Sequence, residues 1–64
     1  MTQHRYIVAI DADMEEDLGV QEWIVNWALR RDGGETIATG TVTGNYEEEV
    51  IREALLEASE AFHT

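Results

Sequence analysis

Hydrophobic and polar residues along the chain follow two different periods. Arg5-Tyr6-Ile7-Val8-Ala9-Ile10 is rich in β-branched and aromatic residues and predicts a first strand, expected to end near Asp11 to Asp13. Met14-Glu15-Glu16-Asp17-Leu18-Gly19 is polar and ends in glycine, so a loop or short helical turn is expected there. From Val20 to Arg31, Trp23, Val25, Trp27 and Leu29 alternate with Ile24, Asn26, Ala28 and Arg30. This period of two predicts a second strand. No breaker stands between Glu22 and Arg31, which leaves helix as the alternative, but the alternation and the turn that follows favour strand.

Asp32-Gly33-Gly34 supplies the positive φ values that a tight hairpin requires. The threonine-rich run Thr36 to Thr43 then predicts a third strand, in which Gly40 marks a bulge or a close approach of another group to the backbone. Beyond it the period lengthens. Val50, Ile51, Ala54, Leu55, Ala58 and Phe62 recur every three or four residues and form one apolar stripe of a helix. Asn45 is expected to cap it, with Glu48 reaching back as in a capping box. Acids in the first turn suit the positive end of the helix dipole. The elements predict an α+β fold, βββα: a three-stranded antiparallel sheet with one C-terminal amphipathic helix packed on one face. Strand two carries apolar residues on both faces, and one helix cannot cover both. An exposed apolar sheet face, or a second copy or partner covering it, is therefore expected. Leu56, off the stripe, points the same way.

Length and charge narrow the picture. Sixty-four residues are expected to make one small domain. A chain of this size buries only about 60% of its unfolded surface, so its stability margin is thin. It has no cysteine, hence no disulfide and no thiolate metal site. No signal peptide or membrane span is expected, and the chain is read as a soluble, cytoplasmic protein. Fourteen acids face four arginines, for a formal net charge of −10. Such a field opposes direct binding to nucleic acid or an anionic membrane and attracts basic proteins. It also serves plain solubility.

Candidate chemistry is sparse. Counted from Asp11, acids fall at positions one, three, five and twelve of an EF-hand-like loop, ending on Glu22, but position six is Glu16 where glycine is needed. A solvated acidic loop is the expected reading, with a weak divalent-metal module as an alternative. Asp11 and Asp13 are not expected to converge for acid–base work. His4 and His63 sit near the termini, and Ser59 has no fixed histidine beside it, so no nucleophilic triad, no enzyme and no cofactor are expected. Trp23 and Trp27 either pack beneath the helix or form an aromatic surface about 13 Å long, at ~3.3 Å per residue.

The order of elements resembles the first half of a ribonuclease H-like fold, which has an aspartate on its first strand and a glutamate on its first helix. Asp11 and Glu48 stand at those places, with no counterpart of the remaining acids that two-metal chemistry needs. HicB-type antitoxins are similar to a reduced version of that fold, and their turn into the helix resembles Gly44-Asn45-Tyr46-Glu47-Glu48-Glu49 followed by Glu53-Ala54. Their proline-containing connection has no counterpart here.

These readings lead to one expectation and an alternative. The expectation is a small acidic binding or inhibitor protein that masks a basic, nucleic-acid-binding surface of a partner protein. In general character it is similar to phage or mobile-element inhibitors such as anti-CRISPR proteins. Its binding residues would be Asp11, Asp13, Glu15, Glu16, Asp17, Trp23, Trp27, Glu49, Glu53, Glu57 and Glu60. The alternative is an antitoxin-like or assembly subunit that forms a homodimer through the uncovered sheet face.

Overall fold

In the computed structural model, which describes residues 3–32 and 34–63 (for residue 63, the backbone alone), three strands and one helix follow in order. They are β1 (Tyr6–Asp17), β2 (Val20–Arg31), β3 (Glu35–Gly44) and α1 (Glu47–His63). The strands form one antiparallel sheet in the order β1-β2-β3, and the helix lies on one face, which is the βββα arrangement expected.

The first hairpin departs from expectation. β1 does not stop at Asp11 to Asp13 but runs on to Asp17, so the acidic segment is strand and not loop. Its pairing with β2 is unbroken from Tyr6↔Arg31 to Asp17↔Val20. Only Leu18 and Gly19 remain for the turn, at φ 54° and 81°. Positive φ at both central residues is the type I′ geometry, whose twist matches that of the strands it joins. A short polar loop is unnecessary because Ala12 and Met14 alternate with Asp11, Asp13 and Glu15, which keeps the strand amphipathic.

The second hairpin turns at Asp32, also in the left-handed region at φ 51°. Gly34 N–H donates to the Arg31 carbonyl at 3.3 Å across the turn, while the expected contribution of Gly33 lies outside the described residues. β3 carries a bulge: Leu29 pairs with Ala38 but Arg30 with Thr36, so Ile37 is the extra residue. β3 ends its pairing at Trp23↔Gly44. Beyond that point β1 and β2 continue as a two-stranded tip, and the molecule is elongated, 55 × 19 × 14 Å.

The core is small. Val25, Trp27 and Leu29 of β2 meet Val50, Ala54 and Ala58 of α1, with Ile10, Trp23, Ala38, Val42, Ile51 and Ala61 packed around them. Gly40, opposite Trp27 on β3, has a steric role. A Cβ there would stand 2.5 Å from Trp27 Nε1 and 2.6 Å from Cε2 and Cζ2, so the indole lies flat against bare backbone. The close approach expected at Gly40 is thus the observed one, and the bulge lies three residues earlier.

Three expectations about the helix are corrected. Its cap is not Asn45: Val50 N–H donates to the Tyr46 carbonyl at 3.0 Å, which makes Tyr46 the capping position. Asn45 instead donates through Nδ2 to the Gln21 carbonyl at 2.9 Å, and Glu48 accepts from Arg52 at 2.8 Å. Leu55 and Phe62 of the expected stripe are not buried but 48% and 50% exposed.

Candidate acidic tip and open sheet face

Residues two apart on a strand share a face, and the register of β1 and β2 decides which. Val25, Trp27 and Leu29 face the helix, so their partners Ala12, Ile10 and Val8 do too. Asp11, Asp13, Glu15 and Asp17 therefore all stand on the other face, which no element among the described residues covers. This corrects the expectation that Asp11 and Asp13 do not converge: they are neighbours in one acidic column. Their β2 partners on that face are Asn26, Ile24, Glu22 and Val20, and Thr41 and Thr43 of β3 extend the first two rows. Thr41 Oγ1 donates to Asn26 Oδ1 at 2.7 Å.

The open face is consequently polar along much of its length. Ile24 and Ala28, the apolar β2 residues expected to leave it hydrophobic, sit between Asp13 and Thr43 and between Ala9 and Thr39. Ile7 and Val20 are exposed near the two ends of this face, and a further exposed apolar surface lies on the helix side of β1. There Tyr6, Val8, Leu29, Leu55, Ala58, Ser59 and Phe62 line a groove of about 350 Å³. The rings of Tyr6 and Phe62 meet edge to face across it, centroids 4.9 Å apart.

At the far end the tip presents Leu18, 97% exposed, and Val20, 60% exposed. Glu15, Asp17, Leu18, Val20 and Glu22 together line a shallow depression there. A leucine is an unusual occupant of the first position of a type I′ turn, where asparagine, aspartate or glycine avoids the steric cost of positive φ. Glu16 projects to the helix side of the same tip, opposite Gln21.

The expected binding residues thus divide into separate groups. Asp11, Asp13, Glu15 and Asp17 lie on the open face, whereas Glu49, Glu53 and Glu60 lie on the exposed side of α1 beside Leu56. Trp27 leaves the set, since it is 5% exposed beneath the helix. Its Nε1–H donates to Glu57 Oε1 at 3.2 Å, which draws Glu57 into a half-buried structural role as well. Trp23 is half-buried at the margin of the core, so no outward aromatic surface forms on β2. Asp11 and Glu48, the places suggested by the ribonuclease H-like resemblance, fall on opposite sides of the sheet.

At the other end, Asp32 ties the segment before β1 to the second hairpin. Its Oδ1 accepts from Arg5 N–H at 3.1 Å, and its Oδ2 lies 3.0 Å from His4 Nδ1. These bonds, the one to His4 first, hold the Asp32 carboxyl below its ordinary pKa. Arg31 pairs with Glu35 at 2.9 Å, which raises the guanidinium pKa further. Among the described residues no three histidine, aspartate or glutamate side chains come together as a metal-binding set, and no helix is long and apolar enough to cross a membrane.

Comparison with protein-family models, with curated proteins and with solved structures finds no match. What can be said of function therefore rests on the acidic column, the tip and the edges of the sheet.

The feature that sequence reasoning misses is the pairing of Leu18 with Gly19. A leucine before glycine carries none of the usual turn chemistry, so the acidic segment reads as loop. The alternation of Ile10, Ala12 and Met14 with Asp11, Asp13 and Glu15 is the pattern that identifies it as strand.

Proposed function

We infer that the protein binds a partner protein through the acidic tip of the β1–β2 hairpin and the open face behind it, masking a basic surface that otherwise holds nucleic acid. The observation that carries this reading is the composition of that surface: four carboxylates in one column on an uncovered sheet face, ending at a fully exposed leucine. The carboxylates of Asp11, Asp13, Glu15 and Asp17 recur every ~6.6 Å along the strand, a spacing close to that of successive phosphates in a nucleic-acid strand. Arginines or lysines arranged to grip phosphate would meet carboxylates at similar intervals. Leu18 adds what a phosphate chain lacks, an apolar anchor at the centre of a charged rim. Like small phage or mobile-element inhibitors, a protein of this kind needs no catalytic group.

The test is capture from lysate on immobilised protein, followed by displacement with heparin. The expected result is a nucleic-acid-binding partner released by heparin or raised salt, and lost when Asp11, Asp13 and Asp17 become Asn and Glu15 becomes Gln. Capture that heparin leaves intact, or that the neutralised variant retains, refutes the reading.

A further inference from the structure

The two edges of the sheet are unlike. β3 is broken by the bulge at Ile37, a device that discourages pairing with another strand. Among the described residues, the β1 edge has no bulge and no covering element over its twelve residues. Which of its backbone groups face outward follows from the end of the ladder. Asp32 N–H donates to the Arg5 carbonyl at 2.7 Å, so the backbone groups of Arg5 point toward the β2 side. In an antiparallel ladder this alternates, so those of Ile7, Ala9 and Asp11 also point inward, while those of Tyr6, Val8, Ile10 and Ala12 point out.

We propose that this edge pairs with the same edge of a second copy, antiparallel about a two-fold axis at Val8, to make a six-stranded sheet across two chains. Three features select the second copy and this register. First, a two-fold at Val8 makes outward groups meet outward groups: Val8 exchanges bonds with its own counterpart, and Tyr6 with Ile10 of the other chain. Second, it lays the whole run Tyr6 to Ile10 on itself. A shift of the axis to Ala9 would instead place Ile7 against an aspartate. Third, it sets Arg5 opposite the other chain's copy of Asp11. Neither the Arg5 guanidinium nor the Asp11 carboxylate has a partner among the described residues of its own chain. The pairing would supply one twice over. Asp13 falls against Gln3 of the other chain, so no acid of β1 opposes another acid despite the net charge of −10.

The same step gives the exposed apolar groove an occupant. Of the residues that line it with Leu55 and Phe62, Val8 comes beside its own counterpart and Tyr6 beside Ile10 of the other chain, on the helix side of the joined sheet. Dimerisation through the open face is the weaker geometry, since it would press Asp11, Asp13 and Glu15 against a second acidic surface. In the edge-paired dimer the two Leu18 tips point in opposite directions. At about 3.3 Å per residue over the ten residues from Val8, they stand about 65 Å apart.

Sedimentation equilibrium of the full chain, in about 0.3 M salt to screen the net charge, tests the dimer. The expected result is a reversible dimer. Val8→Pro removes an outward N–H at the axis and leaves the bonds to β2 in place, and should raise the dissociation constant by about 100-fold or more. Because a proline variant can fail to fold, its circular dichroism is compared with that of the parent, and the exposed Arg5→Glu serves as a second variant. Arg5→Glu should weaken the dimer about tenfold, and adding Asp11→Arg should restore it. Spin labels on Leu18→Cys, the sole thiol of that variant, should report the separation of about 65 Å. A monomer at every concentration overturns the proposal, as does a dimer indifferent to a folded Val8→Pro or to Arg5→Glu. Failure of the double charge reversal to rescue, or a much shorter label distance, overturns it equally. The outcome is separable from that for the tip: Val8 variants should still capture the basic partner, and neutralising Asp13, Glu15 and Asp17 with Asp11 kept should leave the dimer intact.

Discussion

The two ends of β2 differ more than any other regions of the molecule. Where β2 runs beneath the helix, Val25, Trp27 and Leu29 are flanked by strands on both sides and covered by Val50, Ala54 and Ala58. At the other end, Val20 to Glu22 pair with β1 alone and meet the rest of the chain through the bond from Asn45 to the Gln21 carbonyl. An isolated two-stranded hairpin is marginal in water, so the tip draws its order from the core end to which it is continuous. The contrast separates stability from presentation. The core end can tolerate little change, whereas the tip can carry acids and an exposed leucine because no packing depends on them.

Removing the central side chain of the core should have the largest effect. Trp27→Ala deletes the indole that fills the space between β2, Gly40 and α1, and leaves Glu57 without its donor. A loss of about 3–5 kcal/mol is expected. That is comparable to the whole stability of a core this small, so the variant should be largely unfolded by circular dichroism at 25 °C. Acid neutralisation at the tip should leave the unfolding midpoint close to that of the parent. A tip variant that unfolded as readily as Trp27→Ala would dissolve the distinction between the two ends.

Gly40→Ala probes the same end from the neighbouring strand. The added methyl would stand 2.5 Å from Trp27 Nε1, so the indole must shift or β3 must move away. Overpacking of this kind costs about 1–3 kcal/mol. Urea denaturation should show a lower midpoint, and the near-ultraviolet signal of the tryptophans should change with it. Alanine at Gly34, where no atom would meet the new Cβ, is the control for the added methyl alone.

At the tip the sign reverses. Leu18 adopts φ 54° with its side chain in solvent, a conformation that costs a non-glycine residue roughly 1–2 kcal/mol. Leu18→Asn should relieve part of this and raise stability by about 0.5–1 kcal/mol in the same denaturation assay. It should also weaken capture of the basic partner, because the apolar anchor is gone. A variant both more stable and less able to bind would mark Leu18 as retained for contact. Unchanged capture would remove Leu18 from the binding surface.

The same contrast explains which parts of the fold are legible in the sequence. The helix and the central strand are legible because their apolar residues repeat with a clear period, and burial against each other enforces that period. Trp27 cannot be placed on a face from sequence, since both faces of β2 carry apolar residues. Its assignment depends on Gly40 being bare enough to receive it, which only the packed arrangement reveals. The tip reads as loop because its turn lacks the residues that normally mark one. The gathering of the acids on one face follows from the register, and the register hinges on those two turn residues. Asn45 resembles a cap but does not act as one for a related reason: its side chain is engaged by the carbonyl of Gln21, 24 positions away.

The smallest expected effect lies at the opposite end from the tip, where Asp32 joins the second hairpin to the segment before β1. Its carboxyl is held below the ordinary value first by His4, then by the Arg5 backbone N–H, with smaller help from the charges of His4 and Arg31. A folded-state pKa below the unfolded one means that the group contributes stability above its unfolded pKa and loses it as pH falls through the folded value. Asp32→Asn keeps an oxygen for the Arg5 N–H and a residue tolerant of φ 51°, while removing the charge. The difference in thermal midpoint between parent and variant should therefore be present near neutral pH and shrink as acid protonates Asp32. Asp32 is exposed, so solvent screens the interaction and the difference should be no more than a few degrees. Its sign can still be read against a larger background trend, because protonating the other carboxylates lessens self-repulsion in both proteins alike. A gap that widened in acid would mean that the carboxylate strains the hairpin instead of holding it.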